Sequence, residues 1–346
     1  MSLRKCIFLL LVYCLLFFSM SFSQVGRSRV RRDKSCLSAR QARQVLPVKP
    51  KSWQIPSKWS WQSVSHSDAK RWERISGVSI AAGSYTSRVV DQHKSKWCGC
   101  CYLVATLQML QDRMHIRIGV RNPKTNVFPA IQFNLQKALD AYTQLKKRGG
   151  WNACHGGCPL QVMQSIERGY LKLRVDVGGG EWYGFPNTVH TMVSNVKLRM
   201  SKSRRIQFSK VDYPGAIQRE ILMNGPVVLG VDARTMNDVH ISSRGGNATK
   251  QCKGNLNHAV SVVGWVQNEG DIGSSWICRN SWGQYSVPVS KPEFLTCVRL
   301  NVNECDIATH RWEGDPKNKG YVYIPFDATD VSDSSRSQWF TCDFDD

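Results

Sequence analysis

Asp91-Gln92-His93-Lys94-Ser95-Lys96-Trp97-Cys98-Gly99-Cys100-Cys101-Tyr102 runs directly into Leu103-Val104-Ala105-Thr106-Leu107-Gln108-Met109-Leu110. Leu103, Leu107, Leu110 and Met114 recur at the spacing of one helix face, so a cysteine cluster stands immediately before a largely buried helix. Unpaired N–H groups at a helix N-terminus favour an anion, and a thiol held there has a lowered pKa. The N–H of the first helical residue can also stabilise an oxyanion. A cysteine in this place is a candidate nucleophile. The competing readings are a disulfide cluster and a metal centre. Zinc takes four ligands in paired spacings. Cys98, Cys100 and Cys101 are crowded and no matching second pair follows, so no metal or other cofactor is expected. A disulfide at Cys98 is compatible with a nucleophile beside it.

The second half of the chain offers a base. Asn257-His258-Ala259-Val260-Ser261-Val262-Val263-Gly264-Trp265 reads as a polar start leading into a buried β-strand. A second strand follows, Ser275-Trp276-Ile277-Cys278-Arg279, and ends in Asn280-Ser281-Trp282-Gly283. A lone histidine at a strand start is more often structural. Here an amide and an indole arrive at the end of the next strand. An asparagine beside a histidine can fix its tautomer as the orienting member of a triad, and an indole can cover that hydrogen bond.

Composition frames these motifs. The 346 residues are 42% hydrophobic and 10% aromatic, which excludes a wholly disordered chain and leaves room for a large domain or two lobes. Arg4 and Lys5 precede an apolar stretch from Cys6 to Met20, and Ser21-Phe22-Ser23 offers small residues for cleavage. Residues 1–23 therefore read as a secretory signal peptide, since the run is short for a bilayer span. Thirteen cysteines suit the oxidising route this implies, towards a lysosome or the extracellular space. Residues 24–54 are strongly basic: Arg27, Arg29, Arg31, Arg32, Lys34, Arg40, Arg43, Lys49 and Lys51 face only Asp33. They read as a short pro-segment; nothing in them has the aromatic pattern or zinc-knuckle spacing of nucleic-acid recognition. Residues 55–326 form the expected domain. Residues 327–346, with six Asp against Arg336, read as a mostly mobile acidic tail that Cys342 could tether. Asn247-Ala248-Thr249 is an N-glycosylation sequon in a polar, Gly-rich loop.

Taken together, Gln92, Cys98-Gly99-Cys100-Cys101-Tyr102, Cys154-His155-Gly156-Gly157, Asn224-Gly225-Pro226-Val227, Asn257-His258-Ala259-Val260 and Arg279-Asn280-Ser281-Trp282-Gly283 resemble the papain family of cysteine peptidases. They occur in family order, and the resemblance runs from about Ile55 to Pro325. The five residues His93–Trp97 between Gln92 and Cys98, together with the short pro-segment, are similar to the cathepsin X (also called Z) branch. The resemblance implies an α+β fold of two lobes, one helical and one β-barrel-like, with a cleft between them. It implies Cys101 as nucleophile, His258 as base and then acid, Asn280 as its orienter and Trp282 as a cover over that pair. A thiolate–imidazolium pair would stand ready before substrate arrives. Gln92 and the Cys101 backbone N–H would form an oxyanion hole. Gly156 and Gly157 would bind an extended peptide, Cys158 and Pro159 would line a specificity pocket, and Cys98 would pair with Cys154.

His93, beside Gln92, would overhang the cleft and receive a substrate's terminal carboxylate, which implies a carboxypeptidase. Cys36 would latch Cys101 as a mixed disulfide in the proform. The partners implied are peptide or protein substrates, with neither nucleic acid nor membrane, and the chain would be monomeric. Three departures stand out. Cys100 and Tyr102 replace the family's usual Ser and Trp, so that two adjacent thiols could form a vicinal disulfide. A long insertion carrying Cys297 and Cys305 follows Gly283. Cys278 reads as a free thiol in the core. The alternatives are an inactive papain-like scaffold that binds acidic polymers through its basic surface, and a papain-like endopeptidase.

Overall fold

A computed structural model describes residues 55–92, 98–121, 131–146, 152–177, 180–185, 199–232, 256–269, 273–283, 320–329 and 338–345. The signal-peptide and pro-segment readings (with Cys36), His93 to Trp97, the sequon at Asn247, Cys252, and Cys297 and Cys305 of the insertion lie outside the described residues.

The first elements are β1 (Lys58–Ser60) and α1 (His66–Ser76). A capping box starts α1: Asp68 N–H donates to Ser65 Oγ at 3.1 Å, and Ser65 N–H donates to the Asp68 carboxylate at 3.2 Å. Gly77 ends the helix in the left-handed region at φ 74°, where a side chain would be strained. The helix expected from the cysteine cluster is α2, Cys101–Arg121, and nearly every residue along it is buried. It is followed by β2 (Ile131–Phe133), α3 (Leu135–Leu145) and α4 (Pro159–Glu167). Asn134 caps α3, and Pro159 occupies the first turn of α4, where a missing N–H costs nothing. Next come β3 (Leu173–Val177), β4 (Gly180–Phe185), β5 (Arg199–Arg205) and α5 (Gly215–Asn224).

The remaining strands are β6 (Val227–Val231), β7 (His258–Glu269), β8 (Gly273–Arg279), β9 (Tyr321–Pro325) and β10 (Gln338–Asp345). They build a seven-stranded antiparallel sheet in the order β5-β10-β6-β7-β8-β9, with β1 added against β7. A small sheet is ordered β2-β3-β4. The class is α+β, as expected, and β7 and β8 begin and end within a few residues of the expected strands. β6 is buried at every position, and β7 over its first nine, as near-continuous apolar runs require of central strands. Gly264 of β7 has no alternative in this packing, because a Cβ there would lie 2.1 Å from the Trp59 carbonyl oxygen of β1.

The main core is built on tryptophans. Trp59, Trp61, Trp265, Trp276 and Trp339 are all at most 1% exposed. Three indole N–H groups find backbone acceptors: Trp61 on Ile221 at 2.7 Å, Trp72 on Leu222 at 2.8 Å and Trp265 on Pro56 at 2.9 Å. These bonds tie residues 55–72 to α5 and β7, and satisfy the polar end of each ring.

The structure corrects the reading of residues 327–346 as a mobile acidic tail. Gln338–Asp345 is β10, inserted between β5 and β6. Trp339, Phe340, Cys342 and Phe344 are buried, and Cys342 is a free thiol rather than a tether. The Asp content misled because β10 lies against a basic strand: Asp343 pairs with Arg204 at 2.9 Å and with Lys202 at 4.0 Å. Alternation of acidic with apolar residues here marks a paired strand rather than a solvated run.

Candidate active site

Cys101 opens α2, and His258 opens β7. The two elements pack against each other, which sets Cys101 near the backbone N–H of Ala259, the residue after His258, a neighbour that favours its thiolate. Both are buried, at 8% and 6% exposure.

The far side of the imidazole is fixed by the end of β8. His258 Nε2 lies 2.9 Å from Asn280 Oδ1. The same oxygen accepts the Ser281 backbone N–H at 2.8 Å. A backbone N–H can only donate, so the Asn280 atom facing it must be the oxygen. His258 Nε2 must therefore carry the proton, which leaves Nδ1 as the lone-pair nitrogen. Trp282 lies over the ring, with centroids 4.7 Å apart and planes tilted by 35°.

Gln92 is drawn to the same place by a short ladder. Gly283 N–H donates to Val90 at 3.1 Å, Asp91 bridges Trp282, and Gln92 N–H donates to Ser281 O at 2.8 Å. The Gln92 side chain donates from Nε2 to the Cys98 carbonyl at 2.7 Å, and its Oε1 accepts from the Ser281 hydroxyl. Cys98 is disulfide-bonded to Cys154, with Cα atoms 4.4 Å apart. Gly99 N–H donates to the Cys154 carbonyl at 2.8 Å, which ties the wall around Cys154 to the approach to α2.

Of the other expected site residues, Gly156 stands at φ 90°, in the region glycine favours. Gly157 lies against α2: a Cβ there would come within 2.5 Å of the Tyr102 ring. Tyr102, in place of the usual tryptophan, donates its hydroxyl to the Ala153 carbonyl at 3.0 Å, so it ties the same wall to α2. Pro159 is buried at the start of α4, after the disulfide-bonded Cys158. Cys100, Cys101 and Cys278 are all free thiols, so no vicinal disulfide joins Cys100 to Cys101. Among the described residues, no group of three or more His, Cys, Asp or Glu is placed to hold a metal, and no helix is long and apolar enough to cross a membrane.

The electrostatics differ from a pair already ionised. Burial pushes the Cys101 thiol up to about 11, against the smaller opposing pull of the Ala259 N–H. Burial pushes His258 down to about 4, partly offset by Asn280. Burial thus disfavours the charged form of each group taken by itself. Burial also pushes Cys100 up to about 12, with its neighbour Cys101 adding to the rise.

Two features of the site are not apparent from sequence. One is Ser281, which joins Gln92 to Asn280. The other is a fully buried ion pair one residue before Asn280: Arg279 Nη2 lies 2.5 Å from Asp112 on α2, and Asp112 also accepts the Ser87 N–H at 2.7 Å. The one sequence signal for it is that Asp112 is the single carboxylate of α2.

Comparison with known proteins places the chain in a family. The family described as "Papain family cysteine protease" matches residues 80–314, well over half of the chain. The chain belongs to that family, and its α+β fold is papain-like. Cathepsin S of Mus musculus is 27% identical over 217 residues, which cover 62% of this chain and 56% of that protein. Cathepsin K of Mus musculus is 23% identical over 188 residues, 54% of this chain and 50% of the relative. Cathepsin Z of Onchocerca volvulus is 22% identical over 236 residues, 61% and 64%. The chain thus spans little more than half the length of the cathepsin S it matches. Among solved structures, digestive procathepsin L2 proteinase from Tenebrio molitor larval midgut is 14% identical over 84% of this chain and 69% of its own, at a TM-score of 0.44.

Proposed function

We propose that the chain is a cysteine peptidase acting on peptides or proteins, with Cys101 as nucleophile and His258 as the base that takes its proton. The observation that carries this reading is the fixed tautomer of His258: its proton is committed to Asn280, and the accepting nitrogen is left for the thiol beside Ala259. The acyl step works through a thiolate–imidazolium pair. In the acyl step the sulfur bonds to the scissile carbonyl carbon and the proton moves to His258. It is then handed to the leaving amine, and water releases the acyl group. The Cys101 backbone N–H and the remaining N–H of Gln92 receive the oxyanion. Asn280 orients His258, Trp282 covers it, and Gly156, Gly157 and Pro159 line the approach of the substrate.

The finer proposal is a carboxypeptidase, in which His93 binds the terminal carboxylate. It rests on sequence, as does passage through the secretory pathway to a lysosome or the exterior, where Asn247 would be glycosylated and the Cys36 latch would hold the proform.

An electrophilic thiol probe tests the class: the mature protein should be labelled at one site, and Cys101→Ser should lose both label and hydrolysis. Labelling that persists in Cys101→Ser refutes the assignment. A peptide with a free C-terminus, compared with its amide, tests the exopeptidase. Wild type should prefer the free acid by about tenfold or more, and His93→Ala should erase the preference. Equal cleavage by wild type refutes it and leaves an endopeptidase.

A further inference from the structure

We propose that the seam between α2 and the large sheet binds one internal water, which bridges Ser261 of β7 and Arg279 of β8; the proposal is independent of the peptidase reading. Ser261 and Arg279 stand directly opposite each other in the antiparallel ladder. Direct partners project to the same face of a sheet, with Cβ atoms about 4.5–5.5 Å apart. That face is the one turned to α2, because Arg279 meets Asp112 there. Both residues are 0% exposed, yet each carries a polar atom without a hydrogen-bond partner: Ser261 Oγ and Arg279 Nε. The rest of the guanidinium is held. Nη1 donates to the Ser87 carbonyl at 2.7 Å and to the Ser87 hydroxyl oxygen at 2.9 Å, and Nη2 donates to Asp112 at 2.5 Å. Nε therefore cannot turn to another acceptor without breaking these bonds.

The facing helix adds a third such atom. Gln108 lies one turn before Asp112 on the same side of α2. It is 3% exposed, its Nε2 donates to the Arg88 carbonyl at 3.4 Å, and its Oε1 has no partner. An unpaired buried donor or acceptor is costly, and native proteins answer it with ordered water. The donor set selects water over an ion. Nε–H can only donate, so the occupant must accept; a serine hydroxyl does either, and a glutamine oxygen only accepts, so the occupant can also donate. Asp112 already matches the guanidinium charge, which leaves no call for an anion, and a cation would face Arg279. Arg279 Nε, Ser261 Oγ and Gln108 Oε1 supply the about two to four polar partners that a buried water needs.

The experiment is a crystal structure of the protein at a resolution that orders buried waters, read beside water-oxygen magnetic relaxation dispersion, which counts long-lived internal waters in solution. A density peak should lie at about 2.7–3.2 Å from both Ser261 Oγ and Arg279 Nε. Ser261→Ala, which removes one of the two contacts, should abolish the peak and lower the number of long-lived waters by one. A bromide soak should leave no anomalous signal at the position.

Direct contact between Ser261 Oγ and Arg279 Nε with nothing between them would overturn the proposal, as would a wild type with no density there. A peak and a dispersion that survive unchanged in Ser261→Ala overturn it as well, because Ser261 would then hold nothing. Bromide at the position overturns the choice of water. All of these readings are taken without substrate, so they stand whether or not the protein hydrolyses peptides.

Discussion

Ending the chain at residue 337 should unfold the whole domain. β10 is a middle strand, bonded to β5 on one side and β6 on the other, and β5 has no other neighbour in the sheet. Trp339 is 1% exposed, Phe340 2% and Phe344 6%. Burying a large apolar side chain contributes about 1.5–3 kcal/mol, so three aromatics amount to about 5–9 kcal/mol. Two buried polar anchors go with them: the Thr341 hydroxyl on Glu220 at 2.6 Å, and the Cys342 carbonyl that accepts Arg113 Nη1 at 2.6 Å. A domain has about 5–15 kcal/mol in all. The truncated chain should therefore show no cooperative transition in urea by near-UV circular dichroism, whereas removal of Asp346 alone should change little. Phe340→Ala supplies a graded version, with an expected loss of about 3–5 kcal/mol. A chain ending at 337 that unfolds cooperatively, with its stability within about 1 kcal/mol of the full chain, would refute the reasoning.

The other predictions rest on buried charge. Asp112→Ala leaves the Arg279 guanidinium buried without its partner, and should cost about 3–5 kcal/mol, or a melting point lowered by about 6–20 °C in a thermal scan. Glu220 meets Arg113 at 3.0 Å and Arg204 at 3.7 Å; burial pushes its carboxyl up, but the two guanidinium groups more than reverse this and hold it below the ordinary value. The stability it contributes is thus complete above about pH 4.5 and is lost as pH falls through the lower folded value, so wild type should lose more stability than Glu220→Gln between pH 5 and 3 in urea titrations at each pH. With Cys101 raised to about 11 and His258 lowered to about 4, alkylation of Cys101 in the free enzyme should keep climbing from pH 5 to 9; a plateau reached near pH 4 would mean that the ion pair is already formed at rest.

The candidate site was legible in sequence because its residues sit at element boundaries. Cys101 opens a helix, His258 opens a strand, and Asn280 follows the end of the next strand. Boundaries announce themselves through a change of period and a run of polar or small residues. Contacts between distant segments leave no such trace. Asp112 is 167 residues from Arg279, and Ser281 is 189 residues from Gln92. The C-terminal segment was misread for a related reason. Its Asp residues look solvated until β5 is known to be its neighbour, and that register brings together residues 135 or more positions apart. Composition describes a strand's own preferences, whereas pairing decides whether its charges meet water or an opposite charge.

The protonation of His258 carries the remaining argument about the proposed chemistry. Burial opposes an imidazolium, yet the base must become one when the thiol gives up its proton. What the fold places around the ring bears on that moment. Asn280 Oδ1 is held as a pure acceptor by the Ser281 N–H, so it strengthens its bond to Nε2 as the ring gains charge. The Trp282 face, 4.7 Å from the imidazole, attracts a cation more than a neutral ring. Arg279, the residue before Asn280, is matched by Asp112, so its charge is paired. Asn280 and Trp282 stabilise the protonated ring more than the neutral one, and that difference is what lowers a barrier. The arrangement therefore opposes part of the burial cost of the imidazolium at the moment the thiol gives up its proton.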